Sequence, residues 1–240
     1  ADGACDAPAA GGAAGTVTQL PACAVCGTAA RPPFRAPPAE SAPDLDGRPG
    51  EPTRSTLPHW IATCRRCGTS GPDLSRMPEG TRDAVRSNAY QALRGPGPEL
   101  PALRWACICE ALGHRAEAAE AALQAAWALD DAGRDAAPVR RRAVALWGEP
   151  EGTEDALRQL DLLRRAGDLA AAGAQADALD DPALDENTAA ILAFQRARIA
   201  DGDTGRHMIS SALRPPARRP HVTHGTQARP GGFWRRLFGG

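Results

Sequence analysis

Two turns of one design, Cys23-Ala-Val-Cys26-Gly27 and Cys64-Arg-Arg-Cys67-Gly68, stand at either end of a proline-dense stretch. Two residues between cysteines let both sulfurs reach one ion at about 2.3 Å from a tight turn. Glycine directly after the second cysteine suits that turn, because it tolerates positive φ and leaves amides free to face the sulfurs. Two such turns supply four thiolates, which complete a tetrahedron. With no open position the ion is structural. The spacing therefore predicts one metal held by Cys23, Cys26, Cys64 and Cys67, with zinc the first choice. Iron competes, since paired Cys-x-x-Cys-Gly turns also describe a rubredoxin-type site. A redox dithiol would want a strand and a helix around one motif, and neither pattern surrounds these cysteines. The 37 residues between Cys26 and Cys64 exceed the usual ~15–20 of such motifs; they could form an ordered loop over the site.

The rest of the chain divides by composition. Residues 1–22 are small and low in complexity and read as a flexible leader. Residues 23–75 form the metal-binding part, where Pro32, Pro33, Pro37, Pro38, Pro43, Pro49, Pro52 and Pro58 exclude long helices. Leu57 to Thr63 is the best strand candidate there. Residues 81–203 change to a helical pattern, with helices expected over 81–94, 99–112, 115–130, 136–147, 154–165, 168–179 and 183–200. The third is clearest: Ala119, Ala122, Leu123, Ala126 and Trp127 form one apolar face. Gly113, Gly133 and Gly167 sit where helices should stop. Asp181 before Pro182 reads as an N-cap, and Thr153 with Glu154 and Asp155 reads as another helix start. Short helices joined by short turns pack best as antiparallel hairpins. Leu112-Gly113 before an alanine-rich helix, echoed by Ala166-Gly167, predicts tetratricopeptide-like hairpins without a regular array. An ordinary helical bundle is the alternative. The expected fold class is mostly α: a small zinc-ribbon-like head, then helical hairpins, with disordered ends.

Charge is distributed unevenly. The formal net charge is −1, yet Arg206, Arg214, Arg218, Arg219, Arg229, Arg235 and Arg236 fall in residues 204–240 without a single acid. That segment reads as a basic flexible tail. It ends in Phe233-Trp234-Arg235-Arg236-Leu237-Phe238, a plug for a groove on this protein or a partner, or for an anionic membrane surface. All 28 basic residues are arginine, a habit of GC-rich bacterial genomes. Aromatic residues make up 4% of the chain, so its core must rest on alanine and leucine.

Several other residues invite a role. Arg65 and Arg66 lie between two ligands, where they offset thiolate charge or contact phosphate. His59 is a surface histidine or a spare ligand, and His114 has no evident partner. Cys107 and Cys109 lie two apart on a helix, so they share no face and read as buried small hydrophobes. Cys5 falls in the leader. Asp130-Asp131 and Asp180-Asp181 read as turn and cap residues. No pattern matches a nucleophile with its base, a phosphate-cradling loop or an HExxH helix, so no catalytic residue is expected.

An odd count of seven cysteines in paired spacing argues against a disulfide framework and for a reducing compartment, the cytoplasm. Neither a signal peptide nor a membrane span is visible. The segments Cys-Ala-Val-Cys-Gly (23–27), Pro-Asp-Leu-Asp-Gly-Arg-Pro (43–49), Leu-Pro-His-Trp (57–60), Cys-Arg-Arg-Cys-Gly (64–68) and Ala-Ala-Trp-Ala-Leu-Asp-Asp (125–131) resemble a family of uncharacterised bacterial proteins. Its members join a four-cysteine zinc-ribbon-like part to tetratricopeptide-like helices. The family pattern has proline after the first cysteine of a turn, where Ala24 and Arg65 stand here. The resemblance covers about residues 20–150 and implies no reaction. The expected function is a protein–protein adaptor. A nucleic-acid binder using Arg65, Arg66 and the tail is the alternative, and an enzyme comes third.

Overall fold

The computed structural model describes residues 20–213. Residues 1–19 of the leader, with Cys5, and the tail beyond Leu213, with its aromatic motif, lie outside the described residues. The order is a 3-10 helix at Arg54–His59, strands β1 (Ala62–Thr63) and β2 (Ser70–Gly71), then helices α1 (Thr81–Arg86), α2 (Asn88–Ala92), α3 (Leu100–Ala111), α4 (Arg115–Asp131), α5 (Ala137–Trp147), α6 (Thr153–Arg165), α7 (Leu169–Ala178), α8 (Glu186–Ala200) and α9 (Ile209–Ala212). The protein is mostly helical, with the four cysteines gathered in a small head.

Helices α3, α4, α5, α6 and α8 end where the sequence places glycine. After α3 the amide of His114 bonds the carbonyl of Cys109 at 2.8 Å, and after α6 Asp168 bonds Leu163 at 2.9 Å. Both are the six-to-one bond of a Schellman cap, which needs the left-handed backbone that Gly113 (φ 79°) and Gly167 (φ 80°) supply. Three-residue turns then force α3–α4 and α6–α7 into antiparallel hairpins.

Helix α4 is the centre of the body and packs against both α3 and α5. The single apolar face read from sequence is too narrow. Ala118, Ala121 and Ala125 are buried as completely as Ala119, Ala122 and Leu123. Alanine on both sides lets two neighbours approach one helix closely. A second core joins Leu157 and Leu160 of α6 to Ile191 and Leu192 of α8, and takes in Leu45 and Ile209.

Four local expectations are corrected. The helix at 81–94 is two helices, because the Ser87 hydroxyl accepts from the Tyr90 amide at 3.2 Å and starts α2 afresh. The Leu57–Thr63 strand is a 3-10 turn followed by a two-residue strand. Helix α8 is capped by Asp185, whose carboxylate accepts from Asn187 and Thr188; Asp181 makes only a turn. Residues 204–213, read as the start of a loose tail, run against the 43–45 segment: Leu45 donates to the His207 carbonyl at 3.0 Å, and Ile209 donates to Pro43 at 2.9 Å.

Candidate metal centre

The two cysteine turns fold alike. In the first, the Gly27 amide bonds the Cys23 carbonyl at 2.8 Å and the Cys23 amide bonds Thr28 at 2.8 Å; in the second, Gly68 bonds Cys64 at 2.9 Å and Cys64 bonds Thr69 at 2.8 Å. Gly27 (φ 71°) and Gly68 (φ 73°) are both left-handed, as the turn demands. A short bridge, Ala22 to Ala29, closes the first loop, and β1–β2 closes the second.

The turns face each other. Cys23 Sγ lies 3.8 Å from Cys67 Sγ, and Cys26 Sγ lies 3.6 Å from Cys64 Sγ. All four sulfurs fall within 4.8 Å of one another. A tetrahedral ion with bonds of about 2.3 Å sets its ligands about 3.8 Å apart, so the cluster has the dimensions of a four-thiolate site. The predicted ligands Cys23, Cys26, Cys64 and Cys67 are thus brought together. Zinc and iron(II) both suit such soft donors. His59 is elsewhere, its ring 5.5 Å from Phe34, and Cys107 and Cys109 are buried in α3.

The four sulfurs differ in acidity. Burial pushes the Cys23 thiol up to about 12 and raises that of Cys67. Hydrogen bonds from Thr28 pull Cys26 down to about 6. Thr69 Oγ1 lies 3.2 Å from Cys67 Sγ, placed to donate to a thiolate. Four thiolates this close would repel one another; a divalent ion would remove that penalty and displace the protons of those sulfurs that are thiols without it.

The head is tied to the helices in two ways. Tyr90 of α2, the only tyrosine, donates to the Gly68 carbonyl at 2.7 Å and accepts from the Ser70 amide at 3.1 Å. Gly71 of β2 lies against α3, where an added Cβ would touch Trp105 at 3.5 Å, and it also leaves room for Met77, whose Sδ that Cβ would meet at 2.8 Å.

The second tie is the segment 44–50, which is wholly buried. Asp46 accepts from Trp127 Nε1 of α4 at 3.0 Å and pairs with Arg165 of α6. Its carbonyl accepts from Arg158 at 2.9 Å. Arg165 also holds Asp130 at 2.6 Å, which Arg140 grips from α5. Arg48 reaches Asp131 at 2.5 Å, and Arg54 reaches Asp44 at 2.5 Å. Burial alone would raise the Asp46 carboxyl, but the Arg165 and Arg140 charges outweigh it and hold it below the usual carboxylate range. Burial lifts Asp44 above that range and takes Asp161 up to about 6. The Asp130-Asp131 pair is therefore no simple helix end; it anchors the loop that joins head to body. Sequence reasoning missed this role, although a run of Asp, Asp and Arg between two prolines marks the segment.

Comparison of the chain with protein-family models, with curated proteins and with solved structures found no match to any of them.

Proposed function

We propose that the protein is a non-catalytic interaction protein, in which one structural zinc ion holds the head in a fixed pose on a tetratricopeptide-like helical body. The observation that carries this reading is the sulfur geometry. Four thiolates at tetrahedral separations leave no position for a substrate or water. The ion therefore supplies folding free energy rather than chemistry. Iron in the same four positions would preserve the structural role and change only the metal.

The body offers the surface for a protein partner. A hollow of about 390 Å³ lies between Trp105 and Trp147 and is edged by Glu117, Glu120 and Gln124. Half-buried tryptophans are the usual anchors of a protein interface. The acids select a basic segment, and Arg158 already shows that recognition internally, stacked 4.8 Å from the Trp147 ring and paired with Glu120. The odd count of seven cysteines in paired spacing supports a reducing compartment, the cytoplasm, as its setting. Among the described residues no helix is long and apolar enough to cross a membrane.

Two measurements test the reading. Elemental analysis of purified protein is expected to return one zinc per chain; neither zinc nor iron would overturn the structural-metal role. Capture of partners from the native cell is expected to yield a protein that binds the wild type and is lost with Glu117→Arg and Gln124→Arg together. Equal recovery with both forms would overturn the groove.

A further inference from the structure

Among the described residues, the arginines are ion-paired in one region and mostly without an ion pair in another. Segments 40–59 and 95–203 contain 13 arginines and 24 acids. Eleven of those arginines form ion pairs: Arg48, Arg54, Arg134, Arg140, Arg141, Arg142, Arg158, Arg164, Arg165, Arg196 and Arg198. Segments 20–39 and 60–94 contain eight arginines against three acids. Only Arg76 among these pairs with an acid, Asp73, at 3.9 Å. Arg65, Arg82 and Arg86 have no ion-pair partner among the described residues, and Arg66 reaches only the Thr28 hydroxyl, at 3.5 Å. All four are exposed.

Two of these four line one hollow, and the other two lie in the cysteine turn beside it. Arg82 and Arg86, one turn apart on α1, border a hollow of about 290 Å³ that Val25, Cys26 and Cys67 close from the metal side, with Gln91 beside them. Arg65 and Arg66 sit in the turn that brings Cys67 to the same hollow. The acid of α1, Asp83, is not part of that lining. Four cations exceed what a four-thiolate zinc site of charge −2 requires for neutrality, so a positive face remains once the metal is bound.

We infer that this face binds the phosphodiester backbone of a nucleic acid. Guanidinium groups match phosphate oxygens in a two-bond fork. Backbone binding needs charge and little else, which is what the face supplies. A protein partner or a lipid surface would need an apolar anchor. Here Val85 is buried, the half-buried Val25 is small beside the tryptophans of the body, and the sole large exposed hydrophobic among the described residues is Leu20. The inference goes beyond the protein-partner reading and stands without it.

The test uses the full-length metal-loaded chain and a fluorescent 20-nucleotide single strand, read by anisotropy over a salt series. To isolate the head, Arg214, Arg218, Arg219, Arg229, Arg235 and Arg236 are changed to Gln in every sample. Four contacts to a single strand give a slope of log affinity against log salt of about −3. Adding Arg65→Gln, Arg66→Gln, Arg82→Gln and Arg86→Gln is expected to flatten that slope and abolish binding, with metal content and circular dichroism unchanged. Adding only Arg82→Gln and Arg86→Gln should remove about half of it. Binding that survives the fourfold change overturns the inference, as does absence of binding before it. Displacement of the strand by poly-glutamate at equal charge would also overturn it and assign the face to an acidic protein. Binding to phosphatidylserine vesicles but not to the strand would assign it to a membrane.

Discussion

The head and the body are built from the same aromatic-poor alphabet, yet they reach order by different means. In the head only Cys23, Ala30, Cys64 and Leu74 form a buried apolar cluster. Two of those four belong to the four-cysteine cluster, so the head's interior is largely its candidate metal site. The body buries alanine and leucine along α3, α4 and α5, and adds guanidinium–carboxylate pairs in its interior. Small side chains bring helices close, and long arginine stems fill what the missing aromatics leave. The contrast is between a core poor in large apolar groups whose four sulfurs could take a cation and one completed by cations already in the chain.

That contrast can be broken most severely at the ion. Cys23→Ser with Cys64→Ser should abolish metal binding and remove on the order of 10 kcal/mol of metal-coupled folding free energy. Amide exchange should then become fast over residues 20–31 and 60–75 and stay slow in α3 to α6. One equivalent of metal retained by the double variant would sink the four-sulfur site.

The next effect belongs to the body's own cations. Asp46→Asn leaves Arg165 short of a buried partner and is expected to cost about 3–5 kcal/mol at pH 7 in urea unfolding. The loss should depend on pH with a defined sign. The Asp46 carboxyl is held down in the folded state, so its contribution is complete above the unfolded carboxylate value of about 3.9. It disappears as pH falls through the lower folded value. Wild type and variant should therefore converge in acid; a gap that widens there would contradict the assignment.

The smallest effect lies where the two regions meet. Tyr90→Phe strips the Gly68 carbonyl and Ser70 amide of their shared hydroxyl, at about 1–3 kcal/mol. The expected readout is faster loss of metal to a chelator with an unchanged helical spectrum. Identical metal-release rates would mean that α2 does not brace the second turn.

Sequence gave access to the parts whose signal is local. Cys-x-x-Cys-Gly announces a ligand turn within five residues, and a glycine after an apolar run announces a helix end. The reading failed where local signals competed or distant partners decided. Ser87 interrupts an otherwise helical stretch because its hydroxyl caps forward to Tyr90. Asp185 displaces Asp181 as a cap because two amides converge on it. The role of Asp46 was illegible for a deeper reason: its partners Trp127 and Arg165 lie far along the chain, and ion pairing leaves no period to detect.

The short bridge between Asp44 and Met208 joins residues near the two ends of the described chain, and it carries a consequence for biosynthesis. A ribosome must release nearly all of that length before the contact can close. The helical hairpins, built from neighbours in sequence, can assemble while translation continues. Leu45 cannot gain its bond to His207 until the last of these residues emerges, so a prematurely terminated chain would keep its hairpins and lack this closing bridge.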